Sequence, residues 1–486
     1  MHHSMLRLVA TSVLMLGAAA VQAEDLVDVY RLAQENDPQL RAAEAQRQAN
    51  GAATWQSRAS LLPHVNFTAS TQHNNIEYKK GLLAPNTYNF RSSAYSLNLM
   101  QPLFHWDYFV QWAQANALEA QSEANYQNAL QQTILRVSQA YFNVLSAEDS
   151  LAAARAEREA VEQQLNQTKQ RFQVGLAAIT DVQEAQAGYD ASVAQEIIAQ
   201  NQVDNAHEGL IEITRTPVAT VAPLVEEVPL VRPTPENPDQ WVENAQKQNL
   251  QLAAAEAGVE VARQEMKRRE SGHLPTLDLF ASHSWSDNSN LPFYGSESVG
   301  NVVGVQLNVP IFSGGATWAS GREGAFLYEA AQQNLEAQRR ATIRQTREAY
   351  LGVEAGISQV QARKQALASA QTALEATQTG YRVGTRTAID VLNSQRQRYA
   401  AQRDYANSRY NYILATLNLK QAAGTLNEGD LQQVNGWLQE TPQQPQPSQQ
   451  PAQPQPQQSQ QPQQPAQPQQ TQPPQQPTQQ QQPQMQ

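Results

Sequence analysis

The segment RFQVGLAAITDV, residues 171–182, has a close counterpart in GYRVGTRTAIDVLN, residues 380–393. In both segments a Val-Gly pair interrupts a long helical pattern. Glycine readily adopts the left-handed conformation in which many helices end. The two segments therefore predict two α-helical hairpins, with Gly175 and Gly384 at their tips.

Very long helices lead into these tips. No Pro or Gly occurs from Tyr108 to Phe172, and the counterpart run of the second segment has no Pro. About 65 helical residues span roughly 95 Å. Apolar residues recur every seven positions from Val137 to Phe172, with one break at Arg158, and from Val353 to Tyr381. This recurrence is typical of coiled-coil packing. The predicted hairpins cover about 108–214 and about 316–424, with Thr180 and Thr387 capping the returning helices.

The whole chain contains one unit twice. Ala33–Ala45 matches Ala245–Ala257, 212 residues later, and Val174-Gly175 matches Val383-Gly384, 209 residues later. We expect a first repeat over 24–225 and a second over 226–440. Each repeat begins with a helical stretch, about 26–60 or about 238–271. We expect the two repeats to form an elongated protein that has no central core.

Between the helical parts, each repeat alternates apolar and polar residues. The predicted strands lie within about 65–104 and about 277–312, where Val65 and Phe67 flank Asn66. This alternation is typical of strands in a membrane barrel. A half-buried soluble hairpin gives the same pattern, so the strands alone leave both readings open.

Both ends of the chain differ from the repeats. Arg7, an apolar run and Val21-Gln22-Ala23 predict a secretory signal peptide over 1–23, the alternative being a buried or anchoring helix. Either Met1 or Met5 can be the natural start. Residues 441–486 contain 25 Gln, 13 Pro and no charged residue. Such a composition predicts a disordered tail.

Composition excludes several classes of protein. The formal net charge of -11 argues against a nucleic-acid binder. The absence of Cys excludes disulfides, thiolate metal sites and a lipidated Cys. The eight His residues show no metal-ligand or catalytic spacing, so we expect no enzyme activity, metal or cofactor.

Four strands cannot close a barrel, and lipid does not tolerate open sheet edges. Bacterial barrels need at least about eight strands, so several copies must combine. Three copies would give twelve strands and twelve helical rods, each rod being one arm of a predicted hairpin. These arguments do not fix the number of copies. The alternative function, a soluble periplasmic coiled-coil adaptor, explains the rods but not the strands.

The two tip segments resemble those of the TolC family of outer-membrane channels. HLPTLDL at 273–279 and AGTLNE at 423–428 are also similar to this family, and the likeness covers about 24–438. It is close enough to indicate the TolC branch itself. The resemblance implies a mainly α fold with a membrane β-barrel. In it a trimeric barrel of twelve strands stands on a periplasmic tunnel of twelve helices.

The resemblance also implies a function and partners. It implies an exit duct for drug efflux and type I secretion in the outer membrane of a Gram-negative bacterium. A periplasmic adaptor and an inner-membrane RND or ABC transporter would open its periplasmic tip. The family's entrance network maps onto Tyr381 and Arg386, with Thr180, Asp181 and Gln164 as their partners. Asp390 matches one acidic ring of the constriction, and Asn393 replaces the aspartate of the second ring.

Overall fold

The computed structural model describes residues 24–80, 86–288 and 296–439. The predicted signal peptide, 1–23, and the predicted tail, 441–486, lie outside the described residues. These described residues are rich in helix and form one small sheet, which agrees with the coarse fold class expected from the sequence. Among the described residues, no helix combines the length and the apolar character that crossing a bilayer requires.

Each predicted helical stretch is divided into two helices. The first comprises α1 (Leu26–Asn36) and α2 (Pro38–Ala59), and the second comprises α5 (Pro238–Gln248) and α6 (Leu250–Glu270). The helices cover the stretches expected from the sequence, and one residue interrupts each stretch. At the breaks, Asp37 and Asn249 have extended backbone, and their side chains accept bonds from Gln39 N and Leu252 N. A capping side chain in each repeat starts the second helix.

The strands form one antiparallel sheet in the order β1 (His64–Tyr78), β2 (Asn86–Phe104), β3 (Thr276–Asp287) and β4 (Glu297–Asn308). Its middle pairing joins β2 to β3 and so links the two halves of the chain. Because side chains alternate along a strand, one face carries mainly apolar residues. Phe67, Leu97 and Val303 belong to the apolar face, whereas Asn66, Thr68 and Asn98 belong to the polar face.

The rods are uninterrupted helices. They are α3 (Trp106–Gln173) and α7 (Ala316–Arg382). The returning helices are α4 (Ile179–Thr214) and α8 (Ala388–Ala422), and the short α9 (Glu428–Asn435) follows α8. The 68 residues of α3 correspond to about 100 Å. Val137, Val144 and Val353 of the seven-residue series are buried.

A hydrophobic core lies midway along the rods, which corrects the expectation that the chain has none. Here α1 and the segments around 218–231 and 426–438 pack against α3, α4, α7 and α8. The Tyr141 hydroxyl donates to Ala222 O at 2.9 Å, and the Tyr412 hydroxyl donates to Val231 O at 3.0 Å. Burial raises the pKa of both Tyr141 and Tyr410. Segments that are far apart in the chain form this core, so no local sequence pattern predicts it.

Candidate functional site

The two hairpin tips have the same structure where the long helices α3 and α7 end. Gly175 has φ +75° and Gly384 has φ +82°, so both occupy the left-handed region. Leu176 N donates to Arg171 O at 2.8 Å, and Thr385 N donates to Gly380 O at 2.9 Å. These bonds satisfy helix-end carbonyls in the manner of a Schellman motif. No atom would meet a Cβ at either glycine, so the backbone conformation alone explains the residue type.

The two tips differ where the returning helices α4 and α8 begin. In the second hairpin, Thr387 N and Thr387 Oγ1 both donate to Asp390 Oδ2 at 2.9 Å, and Asp390 N donates back to Thr387 Oγ1 at 3.3 Å. In the first hairpin, Ala178 occupies the cap position, and Ala178 N donates to Asp181 Oδ2 at 3.1 Å. The second tip therefore has a reciprocal capping box, whereas the first has only half of one.

Thr180 does not cap the first returning helix, so that prediction is wrong. The helix α4 begins at Ile179, and Thr180 lies in its first turn. In each tip the cap comes three residues after the left-handed glycine, which places Ala178 where the second tip has Thr387. The turn geometry therefore sets the start of the helix, even though the residue at the cap has no hydroxyl.

The capping box affects the electrostatics of Asp390. The Thr387 backbone N–H, with its hydroxyl, holds the pKa of the Asp390 carboxyl below its usual range, and Arg386 adds to the effect. Bonds donated to the ionised form favour that form. Asp390 therefore keeps its charge at pH values at which an ordinary aspartate begins to take up a proton. Asn393, one helical turn later, is exposed and carries no charge.

Tyr381 contacts the first hairpin through a residue that the sequence reasoning missed. The guanidinium of Arg171, near the end of α3, lies 4.7 Å from the centroid of the Tyr381 ring. Guanidinium groups within about 6 Å of an aromatic face are attracted by its quadrupole. A signal was present, because Arg171 precedes Phe172, the first-repeat counterpart of Tyr381. Its partner on another helix could not be read from that position.

The other predicted residues do not bond to one another in the part of the chain that the structure describes. Arg386 is exposed, and a Cβ added at Gly380 would lie 2.8 Å from its Cγ. Gln164 is buried, and its Nε2 has no hydrogen-bond partner among the described residues. Over the described ranges, no hydrogen bond or ion pair joins Arg386 or Tyr381 to Thr180, Asp181 or Gln164.

The sequence matches the family model for outer membrane efflux proteins over residues 29–214 and 241–425. The chain belongs to this family. It is therefore an outer-membrane exit channel for efflux and type I secretion in a Gram-negative bacterium, and it is not an enzyme. The alternative function, a soluble periplasmic adaptor, is wrong, because the two matched segments extend over both repeats of a channel protein.

Relatives of this efflux protein agree with that assignment. The chain is 41% identical over 424 residues to outer membrane protein TolC of Vibrio cholerae, covering 87% of this chain and 95% of the relative. It is 31% identical over 438 residues to the proteases secretion protein PrtF of Dickeya chrysanthemi, covering 89% and 95%. The Campylobacter jejuni CmeC outer membrane channel shares the fold, with a TM-score of 0.71 at 16% identity over 86% of this chain and 90% of CmeC.

Proposed function

We propose that three copies of this efflux protein form one channel, with a twelve-stranded barrel in the outer membrane and a twelve-helix tunnel in the periplasm. The observation that carries this proposal is the four-stranded sheet, whose edge strands are β1 and β4. Open edges are costly in lipid, because no water replaces the missing hydrogen bonds. Adjacent copies would satisfy both edges, and closed rings are the usual arrangement of identical subunits.

Each part of the chain has a place in this arrangement. The apolar face of the sheet suits lipid, and the polar face suits a water-filled lumen. In our proposal the repeats 24–225 and 226–440 each contribute two strands and one helical hairpin. Residues 1–23 direct export and are removed, and residues 441–486 form a periplasmic extension. The core around 218–231 and 426–438 would form a belt outside the tunnel.

We further propose that Tyr381, Arg386, Thr180, Asp181 and Gln164 form an entrance lock that holds the periplasmic tips together. Arg386 is exposed, so its guanidinium can bind a neighbouring carboxylate. The Asp181 carboxylate accepts one hydrogen bond at its own helix cap, which leaves acceptor sites for a guanidinium. Arginine–carboxylate bonds are charge-assisted but of modest strength where water reaches them. Several such bonds around a ring would keep the entrance closed and still let a partner open it.

Asp390 would place one ring of three negative charges just inside the entrance. Its lowered pKa supports a charge that persists in mildly acidic periplasm. Asn393 would line the next level without charge, so the constriction would carry three charges where two aspartates per copy would supply six. We therefore expect weaker block by multivalent cations than in a channel that has both rings.

The partners we propose are a periplasmic adaptor and an inner-membrane RND or ABC transporter. Val174, Leu176 and Val383 at the two tips are highly exposed apolar residues, which are common at sites where another protein docks. Outer-membrane lipid would surround the barrel. Drugs and secreted proteins are the expected substrates, in line with the protease secretion named for the Dickeya relative.

The trimer is tested on the full chain extracted from outer membranes with detergent. Light scattering should give the mass of three copies, and planar bilayers should show discrete conductance steps. A monomeric protein that inserts no channel would refute the proposal. Truncation after residue 440 tests the tail, and loss of assembly in this variant would contradict its assignment as a dispensable extension.

A further inference from the structure

The structure contains a cavity of about 270 Å³ beside the hydrophobic core. It lies where α5, α7, α8 and α9 meet the segment 231–234. Roughly 45 Å of helix separates Leu417, in its wall, from the start of α8 at the tip of the second hairpin. The cavity therefore belongs neither to the entrance nor to the sheet, and the export function leaves it unexplained. Its apolar wall consists mainly of Trp241, Val353, Leu417, Leu419, Val434 and Trp437.

The size of the cavity suits a small organic molecule. A dry apolar cavity of about 150 Å³ can hold one benzene molecule. A volume of about 270 Å³ therefore accommodates a flat body of roughly two fused rings. Aromatic rings pack well on one another in offset or edge-to-face arrangements. Trp241 of α5 and Trp437, which follows α9, both present rings in the wall, so an aromatic body is favoured over an aliphatic one.

Three neutral polar groups in the wall are already bonded within the protein. Trp241 Nε1 donates to Pro235 O at 2.8 Å. The Thr416 hydroxyl donates to Tyr412 O of the same helix at 3.0 Å. The Tyr412 hydroxyl donates to Val231 O at 3.0 Å and accepts from Val231 N at 2.8 Å. A water molecule in a cavity needs about two to four polar partners, so water gains little here and an apolar body can displace it.

One positive charge in the wall lacks a firm partner. Among the described residues that line the cavity, Arg232, Lys420 and Asp430 are charged. Lys420 donates to Asp430, so these two charges neutralise each other. Arg232 pairs with Glu236 at 3.6 Å, but their side chains are 70% and 65% exposed, and such exposed pairs are weak. The wall therefore carries two cations and one anion, a balance that favours an anionic occupant.

We propose that this cavity binds a small aromatic monoanion, with its ring system against Trp241 and Trp437 and its carboxylate on Arg232. A guanidinium binds a carboxylate through charge-assisted hydrogen bonds. The occupant would also contact Val353 of α7 and Leu417 of α8, so binding should stabilise the second hairpin against the core. This inference goes beyond the proposed channel. The cavity lies within a single chain, so the site does not depend on the number of copies.

The test is a titration of the full chain, held in lipid nanodiscs, with naphthoate by isothermal titration calorimetry. Empty nanodiscs give the uptake of the probe by lipid, which is subtracted. Naphthylmethanol is the neutral control and naphthylmethylammonium is the cationic control, because both keep the two fused rings. We expect saturable binding of one naphthoate per chain, weaker binding of the alcohol and no binding of the cation. Bound naphthoate should also raise the thermal unfolding temperature, because a ligand of the folded state stabilises that state.

Substitutions in the wall locate the site. Arg232→Gln should weaken naphthoate binding roughly fivefold, as expected when an exposed ion pair is lost, and Glu236→Gln should strengthen it slightly. Thr416→Phe and Gln433→Trp each place a large side chain in the cavity, so both should abolish binding. The Thr416 hydroxyl bonds within its own helix and Gln433 is exposed, so we expect both variants to fold. The thermal unfolding temperature of each variant checks this.

Three results would overturn the proposal. The first is the absence of saturable binding above that of the empty nanodiscs. The second is unchanged binding in folded Thr416→Phe and Gln433→Trp, because the probe would then lie elsewhere. The third is equal binding of naphthoate and naphthylmethanol, because the site would then recognise no charge. None of these results bears on the proposed trimer, whose own test is the mass and the conductance of the extracted protein.

Discussion

Replacing Arg171 by glutamine should loosen the tip of α7, because the Arg171 guanidinium lies 4.7 Å from the centroid of the Tyr381 ring. Both residues are partly exposed, and a cation–π contact at such a site contributes about 0.5–1 kcal/mol. If the contributions of the three copies of the proposed trimer are additive, they total about 1.5–3 kcal/mol. A free-energy change of about 1.4 kcal/mol corresponds to a factor of ten in an equilibrium constant. The population of the closed entrance relative to the open entrance therefore falls roughly 10- to 100-fold.

The assay is single-channel conductance of the purified protein in planar bilayers. Arg171→Gln should raise the open fraction by that factor, and Arg171→Lys should have a smaller effect because it retains a cation. Arg382→Gln is the matched control, since Arg382 is exposed and lies in the last turn of α7. Among the described residues it bonds only to Thr379, at 3.1 Å. This control should leave the conductance unchanged.

The reasoning also predicts a dependence between the two residues. Tyr381→Phe keeps an aromatic face, so Arg171→Gln should still raise conductance in that background. In a Tyr381→Ala background the same change should have no further effect, because the contact has already been lost. If Arg171→Gln behaves like Arg382→Gln, or if its effect persists in full beside Tyr381→Ala, the contact does not hold the entrance.

Three further predictions concern other parts of the chain. Arg386→Ser, alone or with Tyr381→Phe, should increase single-channel conductance, and unchanged conductance in the double variant would remove these residues from the entrance lock. Asp390→Ala should abolish block by multivalent cations and Asn393→Asp should strengthen it; in the unchanged chain, block should be lost only as the pH falls through the lowered pKa of Asp390. Gly424→Ala should lower the thermal unfolding temperature by forcing a side chain into the left-handed region, which costs about 1–2 kcal/mol, and by a collision with backbone; equal stability would refute this.

The long helices and their tips could be predicted because their signals are local. A run free of Pro, a seven-residue apolar series and a Val-Gly pair describe α3, and the same signals recur in α7. The strands followed from alternation, and the two-fold repeat followed from matched landmarks. In each case neighbouring residues determine the outcome through backbone preference or side-chain periodicity.

Features that depend on distant partners could not be predicted. Asparagine favours helix caps but also occurs inside helices, so Asn249 alone does not determine that α5 ends and α6 begins at this position. The contact between Arg171 and Tyr381 joins residues about 200 positions apart in the chain. The core midway along the rods also needs segments from both repeats. Helix propensity contains no information on such meetings.

We propose that a single difference between the caps gives the two tip aspartates different roles. Asp390 accepts two hydrogen bonds from Thr387. These bonds fix the position of its carboxylate at the start of α8. Asp181 accepts one bond from Ala178, which has no hydroxyl to offer. A carboxylate with more unused acceptor sites is the better partner for an incoming guanidinium. We therefore assign Asp181 to binding Arg386 and Asp390 to the fixed charge of the constriction. Ala178→Thr would complete the first box, compete for Asp181, and should increase conductance in the same direction as Arg386→Ser.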